Sequence, residues 1–207
     1  YEAAYMEEMG ASDVPGFKVL PIAERVDADL ALFPYLDLAG EVRAARVTSV
    51  ADCICRKEAR LTGGGCDHPR ETCLSFGAAA EYYIENGIGR QIAAEEALRI
   101  LQEADAAGLV RAGVNTKRLS NICNRCPCCC ASMKGITRAG MDKRKFLNAL
   151  FEAAVDGEAC SGLRGLPRAL SGGAIAVEET AAVDRERCLG CGLCAGACPG
   201  EMPSLSA

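Results

Sequence analysis

Residues 92–107 carry the plainest periodicity in the chain. Ala93, Ala97, Ile100, Leu101 and Ala104 recur at helical spacing with charged positions between them. Glu95 and Glu96 fall in the first turn, where the helix dipole favours acidic groups, and Gly108 stands where the helix must stop. A second stripe, Phe76, Ala79, Ala80 and Tyr83, predicts a helix over 76–86, with Ser75 as its N-cap and Gly87 closing it. Tyr1–Gly10 reads as a short helix ended by Gly10, followed by a loop, punctuated by Pro and Gly, that runs to Pro21. A further helix is expected over 34–45 and a strand over 47–50; strand patterns return at 151–155, 174–177 and 181–183. The helical stripes are core faces, and what they separate is groups of cysteines.

The most specific of these groups is Cys188-Leu-Gly-Cys191-Gly-Leu-Cys194-Ala-Gly-Ala-Cys198-Pro199. The spacing C-x₂-C-x₂-C-x₃-C-P is that of the bacterial ferredoxin run around a cubane iron–sulfur cluster. Thiolates three residues apart in a tight loop converge on three irons of one cube. Gly190, Gly192 and Gly196 let the backbone approach the sulfurs and offer N–H donors, and Pro199 ends the loop. A zinc knuckle pairs its thiols as C-x₂-C…C-x₂-C, which this run does not.

An internal repeat precedes it. Residues 153–160 (Ala-Ala-Val-Asp-Gly-Glu-Ala-Cys) match 181–188 (Ala-Ala-Val-Asp-Arg-Glu-Arg-Cys) at an offset of 28, which puts Cys160 on Cys188. Leu163, Leu166 and Leu170 stand where Cys191, Cys194 and Cys198 stand in the second copy. The pattern predicts a ferredoxin-like, pseudo-two-fold domain with one degenerate half, its missing cube replaced by leucine volume. In two-cluster ferredoxins the fourth cysteine of each run ligates the other cluster, and that position here is Leu170. The fourth ligand of the surviving cluster is then Cys198, or Cys160, or one iron is open or absent.

Nine more thiols lie upstream, in Cys53-x-Cys55, Cys66, Cys73 and Cys123-x₂-Cys126-x-Cys128-Cys129-Cys130. A C-x-C pair in extended chain sends both thiols to one side, whereas neighbouring thiols in the 123–130 run face opposite ways and can serve two centres, or one cluster plus a free thiol. Nine suffices for two cubanes with one thiol over; one cluster with a zinc, or a larger non-cubane cluster, are the alternatives. His68, the chain's one histidine, sits beside Pro69 between two ligand candidates and reads as a hydrogen-bonding bystander more readily than a ligand. Arg56, Lys57 and Arg60 either offset thiolate charge or form a solvated basic face. Lys134, Arg138, Lys143, Arg144 and Lys145 read as a solvated face ahead of a docking surface for an acidic redox partner.

Composition sharpens this picture. Hydrophobic residues make up 50% and charged residues 25%, enough for a real core, but aromatics are only 5% and Trp is absent, so alanine and metal sites must share the packing. Fourteen cysteines in 207 residues, several adjacent or two apart, suit ligation better than disulfides and imply a reducing, anaerobic cytoplasm. A net charge of −5 argues against nucleic acid and anionic membrane surfaces. No run approaches the length of a membrane span, and no Rossmann glycine motif or P-loop signals a nucleotide. The chain opens at Tyr1, so the expectation is a piece of a longer polypeptide.

The run Cys53-x-Cys55-Arg56…Cys66…Pro69-x-Glu71-x-Cys73-Leu74-x-Phe76-Gly77, with Gly89-Arg90…Glu95-Glu96-Ala97…Gly108-Leu109-Val110 and Ile122-Cys123-Asn124…Cys128-Cys129-Cys130, resembles a group of 4Fe–4S binding proteins of anaerobes. These carry such a segment ahead of a C-terminal two-cluster ferredoxin domain, often with a further domain upstream. The resemblance spans about residues 35–200 and departs from the group at Leu163, Leu166 and Leu170. It implies electron transfer between redox partner proteins, as a partner or subunit of a larger oxidoreductase, by a carrier rather than a stand-alone enzyme. The expected architecture is α+β: a mainly helical cysteine-rich iron–sulfur domain over 1–145, then the ferredoxin-like domain over 146–207. Two to three 4Fe–4S clusters are expected, one in 188–198 and one or two in 53–130. The rival readings are a reactive iron–sulfur enzyme subunit with a substrate-binding cluster, and a zinc-stabilised interaction module.

Overall fold

The computed structural model describes residues 11–22, 37–155, 173–177, 180–197 and 204–206, with Ala4, Glu7 and Glu8. The helix predicted over 1–10 lies mostly outside them, as do Cys160, Cys198 and the three leucines 163, 166 and 170.

The larger part of the chain is organised around a sheet of seven strands: β1 (Phe17–Val19), β2 (Thr48–Asp52), β3 (Glu71–Phe76), β4 (Gly89–Ile92), β5 (Val110–Val114), β6 (Asn121–Arg125) and β7 (Leu147–Asn148). Their order is β4-β2-β3-β6-β5-β1-β7, antiparallel throughout except where β7 runs parallel to β1. The expectation of a mainly helical segment over 1–145 is therefore corrected: five described α-helices of that segment flank a sheet core. The physical reason is that β3 is covered on both sides. Thr72, Leu74 and Phe76 alternate with Cys73 and Ser75, yet every one of the five is buried or half-buried, so the polar–apolar alternation that marks a strand is muted.

Helix α1 (Leu38–Ala44) starts where the Asp37 carboxylate accepts from Gly40 N at 2.9 Å, and it buries Leu38 and Val42. Helix α4 (Ala94–Ala106) keeps the expected stripe: Ala97, Ile100, Leu101 and Ala104 are buried, and Gly108 turns at φ +74°. Both helices pack on Val50, Leu74, Phe76, Ile92 and Ile122 of the sheet. At roughly 1.5–3 kcal/mol for each fully buried aliphatic side chain, this layer is the main source of rigidity under the cysteine loops. The helix predicted over 76–86 is shorter, α3 (Ala78–Glu85), because Ser75 and Phe76 finish β3 and Gly77 at φ +58° makes the corner. Helix α2 (Ile54–Leu61) begins directly after Cys53, so Cys53-x-Cys55 sits at a helix start and not in extended chain. Helix α5 (Ala131–Thr137) begins directly after Cys130.

Towards the C-terminus, β8 (Glu152–Ala154) pairs antiparallel with β11 (Ser204–Ser206), and β9 (Ile175–Val177) pairs antiparallel with β10 (Ala181–Val183). One two-stranded pair is thus nested in sequence inside the other. Helix α6 (Leu193–Ala197) follows the cysteine loop. Leu189 and Leu193 join Val19, Val110, Met133, Phe146 and Leu147 in one apolar cluster, which seats the C-terminal loop against the edge of the large sheet.

Candidate metal centres

Five of the upstream thiols gather on the sheet face opposite Leu74 and Ile122. Those two residues are cross-strand partners, so one step further along the register brings Cys73 opposite Cys123. The starts of α2 and α5 supply Cys53, Cys55 and Cys130. Hydrogen bonds link Cys53 to Cys55, Cys55 to Cys130 and Cys73 to Cys123. All five line a cavity of about 290 Å³ together with Cys126, Cys129, Phe17, Arg56 and Arg125. Arg125 is buried, donates to Cys130 Sγ at 3.4 Å and to Ser132 Oγ at 3.2 Å, and lies 4.0 Å over the Phe17 ring.

The electrostatics of this bay are those of shared protons. A hydrogen bond from Cys55 brings Cys53 down to about 6, and one from Cys73, aided by the Arg125 charge, brings Cys123 down to about 7. Cys130 falls well below the usual thiol range, through the hydrogen bond from Cys55 and then Arg125. Cys55 and Cys73, the donors in these bonds, are pushed up. Thiolates are the form that ligates metal.

The other four form a second group. Cys66 follows the turn at Gly63–Gly65, and Cys126, Cys128 and Cys129 come from the turn that ends β6, where Cys130 N donates to Cys126 O at 3.1 Å. Cys66 Sγ lies 3.5 Å from Cys129 Sγ and 3.9 Å from Cys126 Sγ, and all four sulfurs fall within 4.8 Å of one another. They rest against Ala104 and Leu109. The thiols of the 123–130 run thus fall into two groups, sorted by a turn at Pro127 and not by the alternation of an extended strand. His68 is absent from the quartet; its backbone N–H, not its ring, bonds Cys66. Burial and the nearby Arg56 hold its imidazole below the usual histidine range.

Arg56 stands between the two groups. It is 1% exposed, donates to Thr72 Oγ1 at 2.9 Å and to Asn124 O at 2.6 Å. Burial opposes its charge, but attraction to Cys53 on one side and to Cys126 and Cys66 on the other keeps it raised. Lys57 and Arg60 are exposed. Of the three basic residues singled out in the sequence, then, one faces the thiols and two face solvent. Arg125 was passed over; the available signal was a basic residue inside the run Cys123–Cys130.

In the C-terminal loop Cys188 and Cys194 are buried and Cys191 is half-buried, and the three line one cavity with Gly190, Gly192 and Leu205. Cys188 Sγ accepts from Ala153 N at 3.4 Å and from Gly190 N at 3.5 Å. Gly190 is required there: at φ +60°, a Cβ would sit 2.0 Å from Phe151 O. Burial pushes the Cys191 thiol up to about 12. Three converging thiols with amide donors on a sulfur fit an iron–sulfur cluster. From the 131–145 basic stretch, Lys143 Nζ donates to the backbone oxygens of Arg185 and Cys188, both at 2.6 Å, and Arg144 pairs with Asp142.

These thiol groups mark the chain as a metal-binding protein, and the comparison with known families supplies the iron–sulfur class. Residues 181–204 match the family model of a 4Fe-4S binding domain, which supports at least one 4Fe–4S cluster. No curated protein and no solved structure matches the chain. Among the described residues no helix is long and apolar enough to cross a membrane.

Proposed function

We propose that the chain is an electron-transfer protein that relays single electrons between redox partner proteins in the cytoplasm, as a partner or subunit of a larger oxidoreductase of anaerobic metabolism. One 4Fe–4S cluster is held by Cys188, Cys191 and Cys194, with Cys198 or Cys160 as the fourth ligand, and one or two further centres by the nine upstream thiols. Iron–sulfur clusters exchange single electrons at potentials from roughly −700 to +450 mV, tuned by burial, N–H···S bonds and nearby charge. The protein's own contribution is the tuning: amide donors on Cys188, Arg125 on Cys130, and Arg56 between the upstream groups.

The observation that carries this reading is the match at 181–204 on a loop whose thiols converge with backbone donors. The nested pairing of β8 with β11 and β9 with β10 supports a ferredoxin-like domain over 146–207. Seven upstream thiols line one cavity, more than the four a cube takes, which supports a second centre. The thiols beyond four and the room in that cavity also favour a second reading, an enzyme subunit whose cluster meets a substrate.

The test is oxygen-free purification with iron and acid-labile sulfide counted per chain, followed by electron paramagnetic resonance of the dithionite-reduced protein. The expected result is iron and sulfide in equal amounts and reversible cubane signals, with about four irons lost in Cys194→Ser. Iron near zero, or unaffected by Cys194→Ser, would overturn the reading.

A further inference from the structure

The two upstream thiol groups differ in geometry as well as in number. In the quartet, Cys66, Cys126, Cys128 and Cys129, the sulfurs lie within 4.8 Å of one another, with 3.5 and 3.9 Å between Cys66 and two of its neighbours. Four thiolates around one tetrahedral ion at about 2.3 Å stand about 3.8 Å apart, by the geometry of a tetrahedron. A 4Fe–4S cube binds each thiolate to a different iron, and so holds its four sulfurs farther apart. Cys188, Cys191 and Cys194, which match the 4Fe-4S binding domain, show no such close convergence among the described residues.

We infer that Cys66, Cys126, Cys128 and Cys129 hold a single tetrahedral thiophilic ion, Zn²⁺ in the first instance, and not a 4Fe–4S cube. Four thiolates give a closed coordination shell with no position for substrate, the arrangement of a structural site. Their net negative charge faces the buried Arg56 guanidinium. The positions of the ligands show what the ion fastens. Cys66 comes from the loop after α2, and the other three from the turn between β6 and α5. The same two arms carry Cys53 and Cys55, and Cys123 and Cys130, into the neighbouring cavity, whose wall Cys126 and Cys129 also join. The ion is therefore a clasp between the two arms that frame that cavity, and it reduces the upstream 4Fe–4S centres to one. This goes beyond the electron-transfer reading and leaves its C-terminal cluster untouched.

X-ray absorption at the zinc edge of the full chain, purified without oxygen, tests the inference directly. The expected result is about one zinc per chain with four sulfurs at about 2.3 Å and no iron neighbour. Cys66→Ser and Cys128→Ser should each release that zinc while iron and sulfide counts hold. A chain that isolates without zinc is tested with Co²⁺ alone added to metal-free protein, with no iron or sulfide present. Intense thiolate-to-cobalt bands of a tetrahedral site support the inference, and their absence overturns it. A single iron in that place, lost in Cys66→Ser without loss of sulfide, also supports it. Loss of about four irons and four sulfides in Cys66→Ser or Cys128→Ser would show a cube there and overturn it. Failure of the electron-transfer reading would register separately, as iron that does not respond to Cys194→Ser.

Discussion

Replacing Arg56 with methionine removes a buried cation that both upstream thiol groups face. The guanidinium is 1% exposed and makes two hydrogen bonds, to Thr72 Oγ1 and to Asn124 O. Hydrogen bonds from a charged donor are worth about 1.5–3 kcal/mol each, so their loss costs about 3–6 kcal/mol before any compensation. Methionine fills most of the same volume with apolar atoms, and the desolvation of the buried charge is no longer opposed, which together recover part of that sum. A net loss of about 3 kcal/mol follows, a large share of the 5–15 kcal/mol by which folded domains are stable. In urea, with a slope of about 2–3 kcal/mol per molar, the midpoint falls by about 1–1.5 M. The assay is an oxygen-free urea titration followed by circular dichroism, on samples of matched metal content. Lys57→Met, one residue along and exposed, is the control and should shift stability by less than about 0.5 kcal/mol. Equal midpoints for Arg56→Met and Lys57→Met would refute the assignment of Arg56 to the thiol groups and return it to the solvated face.

Two further outcomes are expected. Gly190→Ala puts a Cβ 2.0 Å from Phe151 O at φ +60°, so it should cost the C-terminal loop its cluster, read as about four irons fewer per chain; Gly87→Ala, at φ +64° with nothing within 4 Å, should cost only about 1–2 kcal/mol and leave iron unchanged. In metal-free, reduced protein, Cys53 at about 6 is thiolate at neutral pH while Cys55 is held up, so iodoacetamide should modify Cys53 first; because the value is lowered, the rate should rise through pH 6 and level off near pH 7, and a rate still climbing at pH 9 would contradict the thiol sharing in the five-cysteine bay.

Much of the chemistry was legible without coordinates, because it resides in local spacing. The C-terminal run names its own cofactor through intervals of two and three residues, and the strands at 152–154, 175–177 and 181–183 fall inside the segments predicted for them. Helix α4 was equally plain, since its apolar stripe and the closing Gly108 are local features of one amphipathic surface. How nine upstream thiols divide is of a different kind. Cys73 meets Cys123 through a β3–β6 register that a separation of 50 residues does not announce, and Cys66 meets Cys126 and Cys129 across separations of 60 and 63. The C-x-C pair reached its site from a helix start, and the turn at Pro127 set three thiols of one run apart from the other two. Sequence alone determined which atoms can bind metal and how many there are. The tertiary structure alone decided which of them lie together, because ligation depends on sulfur-to-sulfur distance, and that is set by strand pairing and turns between segments far apart in the chain.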